Sequence, residues 1–152
     1  MNRVTAEIIR GKRLMAIDYG QRRAGVAVCD EMHIVVSSRP VIESDEHLVD
    51  HVLRQAVTDR IEVIIVGVPE HHDGRITPII EAIYGFVNDL SARASVPVVT
   101  ADEAFSTRDA RAIMVSSGMK KKKRQTKGVK DQVAAAVILQ RVIDELSSGR
   151  YS

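Results

Sequence analysis

Three acidic residues stand where carboxylates from distant parts of the chain could meet around a divalent cation. Asp18 ends an apolar segment, Glu103 follows a second apolar segment, and Asp131 precedes a long run of apolar residues at helical spacing. Clustered carboxylates repel one another unless a cation or a proton neutralises them. Their oxygens suit Mg²⁺ or Mn²⁺, ions that can activate a water for attack on a phosphodiester. The three acids therefore form a candidate catalytic metal site.

Each acid also has a plainer explanation when it is taken alone. A strand-end aspartate such as Asp18 commonly hydrogen-bonds within a turn, and Glu103 could be a solvated acid where a strand ends. An aspartate that opens a helix, as expected for Asp131, can serve only as its N-cap. The metal hypothesis therefore depends on whether the fold brings the three positions together.

The hydrophobic pattern predicts an α/β fold in which strands and helices alternate after an initial group of three strands. We expect strands at 14–19, 24–29, 34–41, 63–68 and 97–101, with the third stopped by Pro40. We expect helices at 45–58 and 79–90, from 106 or 107 to 118, and at 131–146. The first three strands predict an antiparallel meander, and the two later strands require parallel crossovers, with helices on both faces of the mixed sheet.

In such a sheet, ligands collect at the carboxyl ends of the parallel strands. Asp18 and Glu103 both follow strands of this kind, and the topology allows the start of the last helix to reach the same edge. The three acids are therefore expected to come from two strand ends and one helix start.

A basic segment lies just before Asp131. It places seven positive charges within eleven residues, whereas the rest of the chain has 15 basic and 20 acidic residues. The seven are Lys120, Lys121, Lys122, Lys123, Arg124, Lys127 and Lys130. A run of this kind is commonly a solvated, mobile loop, which we expect over 119–130, but its position beside a candidate metal ligand favours binding of a nucleic-acid backbone.

Length and composition limit the remaining possibilities. A chain of 152 residues has the usual length of one domain, so 1–152 is expected to form a single domain. One cysteine, Cys29, forms no internal disulfide, and no apolar run reaches the roughly 20 residues of a membrane helix, so we expect a cytoplasmic protein without a membrane partner. An aromatic content of 3% without tryptophan argues against a base-stacking platform.

Four segments resemble the signature blocks of the YqgF/RuvX family. They are AIDYGQRRAGVAVCD at 16–30, VIIVGVPEHHDGR at 63–75, DEAFSTRDA at 102–110 and KDQVAAAVILQ at 130–140. The resemblance covers most of the chain in the family's order and implies a ribonuclease H-like fold. It also implies catalytic, metal-binding roles for Asp18, Glu103 and Asp131, with Mg²⁺ or Mn²⁺ as cofactor. Gly20 and Arg23 would lie in the first hairpin, and Gly67 and Gly74 in the loop after the fourth strand as structural turn residues.

Two positions depart from the family pattern. The family usually has arginine after the second acid, where this chain has Ala104, so a bidentate phosphate contact is missing there. The loop after Pro69 carries Glu70, His71 and His72 where the family tends to have an apolar residue and asparagine. Both departures bear on activity and substrate preference, while the three acids are intact.

Three functions remain open at this point. The first is a metal-dependent endonuclease, acting in processing of the pre-16S rRNA 5′ end or, alternatively, as a Holliday junction resolvase. The resolvase alternative would favour a homodimer, because a junction requires two cuts. The second is a non-catalytic module that binds structured RNA or branched DNA through Arg23 and the basic segment. The third follows from Asp18-Tyr19-Gly20, which resembles the phosphate-binding turn of sugar kinases and actin-like ATPases, although those enzymes close two such domains around ATP.

Overall fold

The computed structural model describes residues 2–69, 74–103 and 129–151, with the backbone alone described at 103 and 129–132. The strands are β1 (Asn2–Arg3), β2 (Leu14–Asp18), β3 (Arg23–Cys29), β4 (Val36–Glu43), β5 (Val63–Pro69) and β6 (Val98–Glu103). The helices are α1 (Ala6–Ile9), α2 (Leu48–Thr58), α3 (Pro78–Arg93) and α4 (Val129–Ser147).

The strands form one mixed sheet in the order β1-β6-β5-β2-β3-β4. Strands β2, β3 and β4 pair antiparallel, and β2, β5 and β6 run parallel to one another. The predicted meander with two parallel strands is therefore confirmed. Strand β1, which pairs with β6 in parallel, was not predicted, because two residues are too few to show an alternating pattern.

Apolar side chains cover both faces of the sheet, as predicted. Alternate residues of the strands point to opposite faces, so each strand contributes to two separate cores. One core packs against α2 and α3 and includes Met15, Ile17, Val26, Ile64, Val66, Val52, Ile83 and Leu90. The other packs against α1 and α4 and includes Leu14, Ala16, Ala27, Ile65, Val99, Ala101, Ile9, Ile138, Leu139 and Val142.

The third predicted strand, β4, does not end at Pro40 as expected. The strand continues to Glu43, and its register against β3 shifts between Ala24 and Val26, opposite the stretch that contains Pro40. Strand β4 lies at the edge of the sheet, where a residue without a backbone N–H removes no ladder hydrogen bond, and a bulge accommodates the ring.

The last helix, α4, begins two residues earlier than expected. The helix includes Val129 and Lys130, so Asp131 lies within it and not at its first residue, and the last two residues of the expected loop at 119–130 are helical. The rest of that loop and the helix expected up to 118 lie outside the described residues.

Candidate functional site

Asp18 occupies the carboxyl end of β2, in the middle of the sheet. Strand β2 pairs with β3 on one side, where Asp18 is opposite Gly25, and with β5 on the other, where Ile17 is opposite Val66. Pairing on both sides holds the backbone of Asp18 in place. Its side chain is half-buried and therefore partly desolvated.

Glu103 ends β6, on the far side of β5. It is opposite Pro69 in the register of β5 and β6, so both Asp18 and Glu103 lie at the carboxyl edge of the parallel strands. Two strand spacings of about 4.8 Å separate their backbones laterally. By strand alternation, Asp18 shares a face with Ala16, and position 103 shares that face with Ala101, which is the face covered by α4. The ends of β2 and β6 therefore lie at the same edge of the sheet.

Helix α4 brings the third acid to the same face of the sheet. Position 131 precedes Ala135 by one turn and Ile138 by two, and these two residues are buried against the sheet. Ile138 lies against Gly67, the residue that follows Val66 in β5 at the level of Asp18. Seven residues of helix rise by about 10 Å, which places the backbone of Asp131 within reach of this edge.

The metal-ligand roles of the three acids remain predictions. Within the described side chains, no three His, Cys, Asp or Glu residues are grouped closely enough to bind a metal ion. That set includes Asp18 but neither Glu103 nor Asp131, whose side chains are outside it.

Gly67 is not a turn residue, contrary to expectation. It lies inside β5, and a Cβ at this position would be 2.6 Å from Cδ1 of Ile138 and 3.3 Å from its Cγ1. Glycine is therefore needed so that α4 can approach the sheet closely. Gly74, which has a φ of +68°, does have the left-handed backbone expected of a turn glycine.

The turn between β2 and β3 is held by Ser44, the residue that directly follows β4. The Ser44 hydroxyl donates to the carbonyl oxygen of Gly20 at 2.5 Å, and the Ser44 N–H donates to the carbonyl oxygen of Arg22 at 2.9 Å. Gly20 is also required by space, because a Cβ there would be 2.6 Å from the carbonyl oxygen of Arg23. The turn role predicted for Gly20 is confirmed, and Arg23 lies half-buried beside it.

Sequence reasoning missed Ser44 and Arg22. The side chain of Arg22 is exposed at the same edge as Asp18. Ser44 resembles Ser37 and Ser38 in the sequence, and only the register of β4 shows which serine reaches the turn. No local pattern in the sequence could have identified it.

Tyr19, which follows Asp18, packs inward. Its ring stacks on Phe86 of α3 with 5.1 Å between the ring centroids and 27° between the planes. The contact belongs to the core beneath α2 and α3, so the ring of Tyr19 has a packing role. Through this contact, α3 supports the strand end that bears Asp18.

Of the predicted basic residues, most lie outside the described part of the chain. Lys120 to Lys123, Arg124 and Lys127 fall there, and only the backbone is described at Lys130, in α4. Nucleic-acid binding by these residues and by Arg23 therefore stays a prediction.

A partly buried ion pair lies away from the candidate site, on the edge strand β4. Arg39 donates from Nε and Nη2 to the two carboxylate oxygens of Asp59, at 3.1 and 3.0 Å, and Gln55 adds a third hydrogen bond at 2.6 Å. Burial acts to raise the pKa of Asp59, but the hydrogen bonds from Arg39 and Gln55 outweigh it and lower that pKa. This pair joins β4 to the end of α2 and is structural.

The sheet order, with helices on both faces, defines a ribonuclease H-like protein. A structure of RuvC from T. thermophilus in complex with a Holliday junction substrate superposes with a TM-score of 0.55 at 16% identity, over 88% of this chain and 96% of that one. A fowlpox virus resolvase in complex with Holliday junction DNA gives 0.57 at 15% identity, over 88% and 98%. At these identities the likeness establishes the fold.

The chain belongs to the RuvX family, described as Holliday junction resolvase, whose model matches residues 12–145. A Flavobacterium johnsoniae protein is 36% identical over 140 residues, covering 91% of this chain and 99% of its own length. A Halothermothrix orenii protein is 37% identical over 130 residues, covering 84% and 91%. Both carry the name "Putative pre-16S rRNA nuclease". The family resemblance inferred from four sequence blocks is confirmed.

Among the described residues, no helix is long and apolar enough to cross a membrane.

Proposed function

We propose that this protein is a divalent-metal-dependent endonuclease that hydrolyses phosphodiester bonds during processing of the pre-16S rRNA 5′ end. One observation carries the proposal. It is that β2 and β6, parallel to β5 between them, end at one edge of the sheet with Asp18 and Glu103, and that helical spacing relates position 131 to Ala135 and Ile138, which α4 packs on the same face. Family membership and the name of the curated relatives support the choice of substrate.

The three acids suit a Mg²⁺ or Mn²⁺ site by their chemistry. Carboxylate oxygens are hard ligands, and three from different elements leave positions for water and for a phosphate oxygen of the substrate. A bound ion would activate a water and stabilise the departing oxygen. Asp18 is suited to hold it, because strand pairing on both sides fixes its backbone before the substrate arrives.

The remaining contribution of the chain is electrostatic. We propose that Arg23 and the basic segment that includes Lys120 to Lys123, Arg124, Lys127 and Lys130 bind the sugar-phosphate backbone, and that the protein acts as a single domain. Such contacts position a strand without selecting a sequence, so the shape of the RNA would determine where it is cut.

The alternative function is resolution of Holliday junctions, which the description of the family model favours. It requires two active sites and therefore a homodimer, whereas RNA processing requires one. The two functions share the same acids and metal, and only the substrate and the assembly distinguish them.

The experiment is cleavage of matched pre-16S rRNA fragments and four-way junctions with Mg²⁺ and with Mn²⁺. We expect the wild type to cut the RNA, and both Asp18→Asn and Glu103→Gln to reduce cleavage by about 100-fold or more. Asp102→Asn is the matched control. Asp102 neighbours Glu103, lies by strand alternation on the opposite face, and pairs with Arg3 at 3.1 Å, so this variant should keep its activity.

Each alternative has its own result in the same assay. Cleavage of the junction but not of the RNA, by a dimer, would establish the resolvase. Salt-sensitive binding without cleavage under either metal would establish a non-catalytic module, and stoichiometric ATP binding would revive the ATPase hypothesis. Equal cleavage by Asp18→Asn and wild type would refute the proposed site.

A further inference from the structure

The turn between β2 and β3 is rigid although it is short and exposed. Ser44 binds it at two carbonyl oxygens, those of Gly20 and Arg22, and Gly20 has no room for a side chain. A turn held in this way presents its side chains from a fixed backbone, so a ligand does not have to order the loop on binding.

Arg22 is the exposed cation of this turn. In the described part of the chain its side chain has no hydrogen-bond or ion-pair partner, as is also true of the exposed Arg60, whereas four arginines are paired with carboxylates. The pairs are Arg3 with Asp102, Arg13 with Glu31, Arg39 with Asp59, and Arg93 with Asp50. Arg22 therefore offers an uncompensated guanidinium, whose planar set of donors matches phosphate oxygens.

Its distance from Asp18 suits a second phosphate of the same strand. Gly25 is directly opposite Asp18, and Arg22 precedes Gly25 by three residues, so its backbone lies at most about 10 Å beyond Asp18. One strand of nucleic acid rises by about 3.4 Å per nucleotide, so this upper limit spans no more than about three nucleotides.

We propose that Arg22, presented by the turn that Ser44 holds, binds a backbone phosphate of the nucleic acid within about three nucleotides of the phosphate that is cleaved at Asp18. The inference rests on the proposed function for the identity of the substrate strand. It adds a contact that is independent of the metal, because Arg22 binds through charge and hydrogen bonds alone.

The test measures binding of a fluorescently labelled single-stranded RNA in EDTA by the full chain, at several salt concentrations. We expect Arg22→Gln to weaken binding by about 5-fold at 50 mM salt and to lower the slope of log affinity against log salt by about 0.7, the value for one phosphate contact on a single strand. The loss should shrink about 3-fold between 50 and 200 mM salt, as this slope requires.

Arg60→Gln is the matched control. Arg60 is also an exposed arginine, but it lies beside Arg13 and Asp59 at the amino ends of β2 and β5, across the sheet from Asp18. Its replacement removes the same charge and should leave the slope unchanged. Equal melting temperatures of the two variants would show that folding is intact.

Equal salt slopes for Arg22→Gln and Arg60→Gln would overturn this inference, and so would wild-type binding that does not respond to salt. A wild type that binds as expected but cuts no substrate would overturn the proposed nuclease while leaving the Arg22 contact in place. Cleavage by the wild type together with an unchanged salt slope in Arg22→Gln would support the nuclease and overturn the Arg22 contact.

Discussion

Replacement of Gly67 by alanine tests the closest approach between helix α4 and the sheet. The added Cβ would be 2.6 Å from Cδ1 of Ile138, about 1 Å less than the usual contact distance between carbon atoms. Ile138 is 3% exposed and packed in the core, so its side chain has little space into which to rotate. Either Ile138 leaves its rotamer or α4 moves outward.

We expect Gly67→Ala to lower the free energy of unfolding by about 2 kcal/mol, the usual cost of an extra carbon in a packed core. Ile138→Val, which removes Cδ1, should alone cost about 1 kcal/mol. The double variant should be more stable than Gly67→Ala despite carrying two changes, because the valine vacates the position that the new Cβ requires. The expected coupling is at least about 1 kcal/mol.

The assay is urea unfolding of the wild type, both single variants and the double variant, followed by far-UV circular dichroism. Gly85→Ala is the control, since Gly85 lies in α3 with no atom within 4 Å of the position of its Cβ. That variant should gain about 0.5 to 1 kcal/mol from helix propensity. Effects of Gly67→Ala and Ile138→Val that simply add would refute the proposed steric contact.

Two further predictions concern ionisable groups away from the candidate site. The folded-state pKa of Asp59 is lowered, so its pairing with Arg39 contributes stability above about pH 4, and this stability is lost as the pH falls further. When the free energy of unfolding is measured at decreasing pH, Asp59→Asn should lose less of it than the wild type. Equal losses would contradict the pairing. Burial raises the pKa of the Cys29 thiol to about 11, so it should resist a thiol reagent at pH 8 and react fully in urea. Fast labelling of the folded protein would show that the end of β3 opens.

The sequence predicts the central strands and helices well because their apolar residues recur with a clear period. Strand β5 is buried at every position but its last, and α3 shows one apolar side, a Thr77 N-cap and Pro78 in its first turn. Local sequence is a weaker guide at the sheet edge. Strand β4 passes Pro40 only because no neighbouring strand requires that N–H, which is a property of the assembled sheet.

In the candidate site, too, some features could be predicted from the sequence and others depend on contacts between distant residues. Asp18 and Glu103 could be placed at one edge from strand order alone, and the register confirms it. The function of Gly67 could not be predicted, because its contact is Ile138, 71 positions further along the chain. Ser44 was missed for a similar reason, since it acts on a turn 24 residues away.

The position of α4 has a consequence for the order in which the protein can mature as it leaves the ribosome. Asp18 is made before α4, yet the face of the sheet that bears it is covered largely by that helix, which begins at Val129. Until that helix docks, Leu14, Ala16 and Ile65 lack most of their cover and Asp131 is absent from the edge. A nascent chain in which α4 has not yet docked would therefore expose apolar surface, and any activity that needs all three acids would be withheld until α4 has been made.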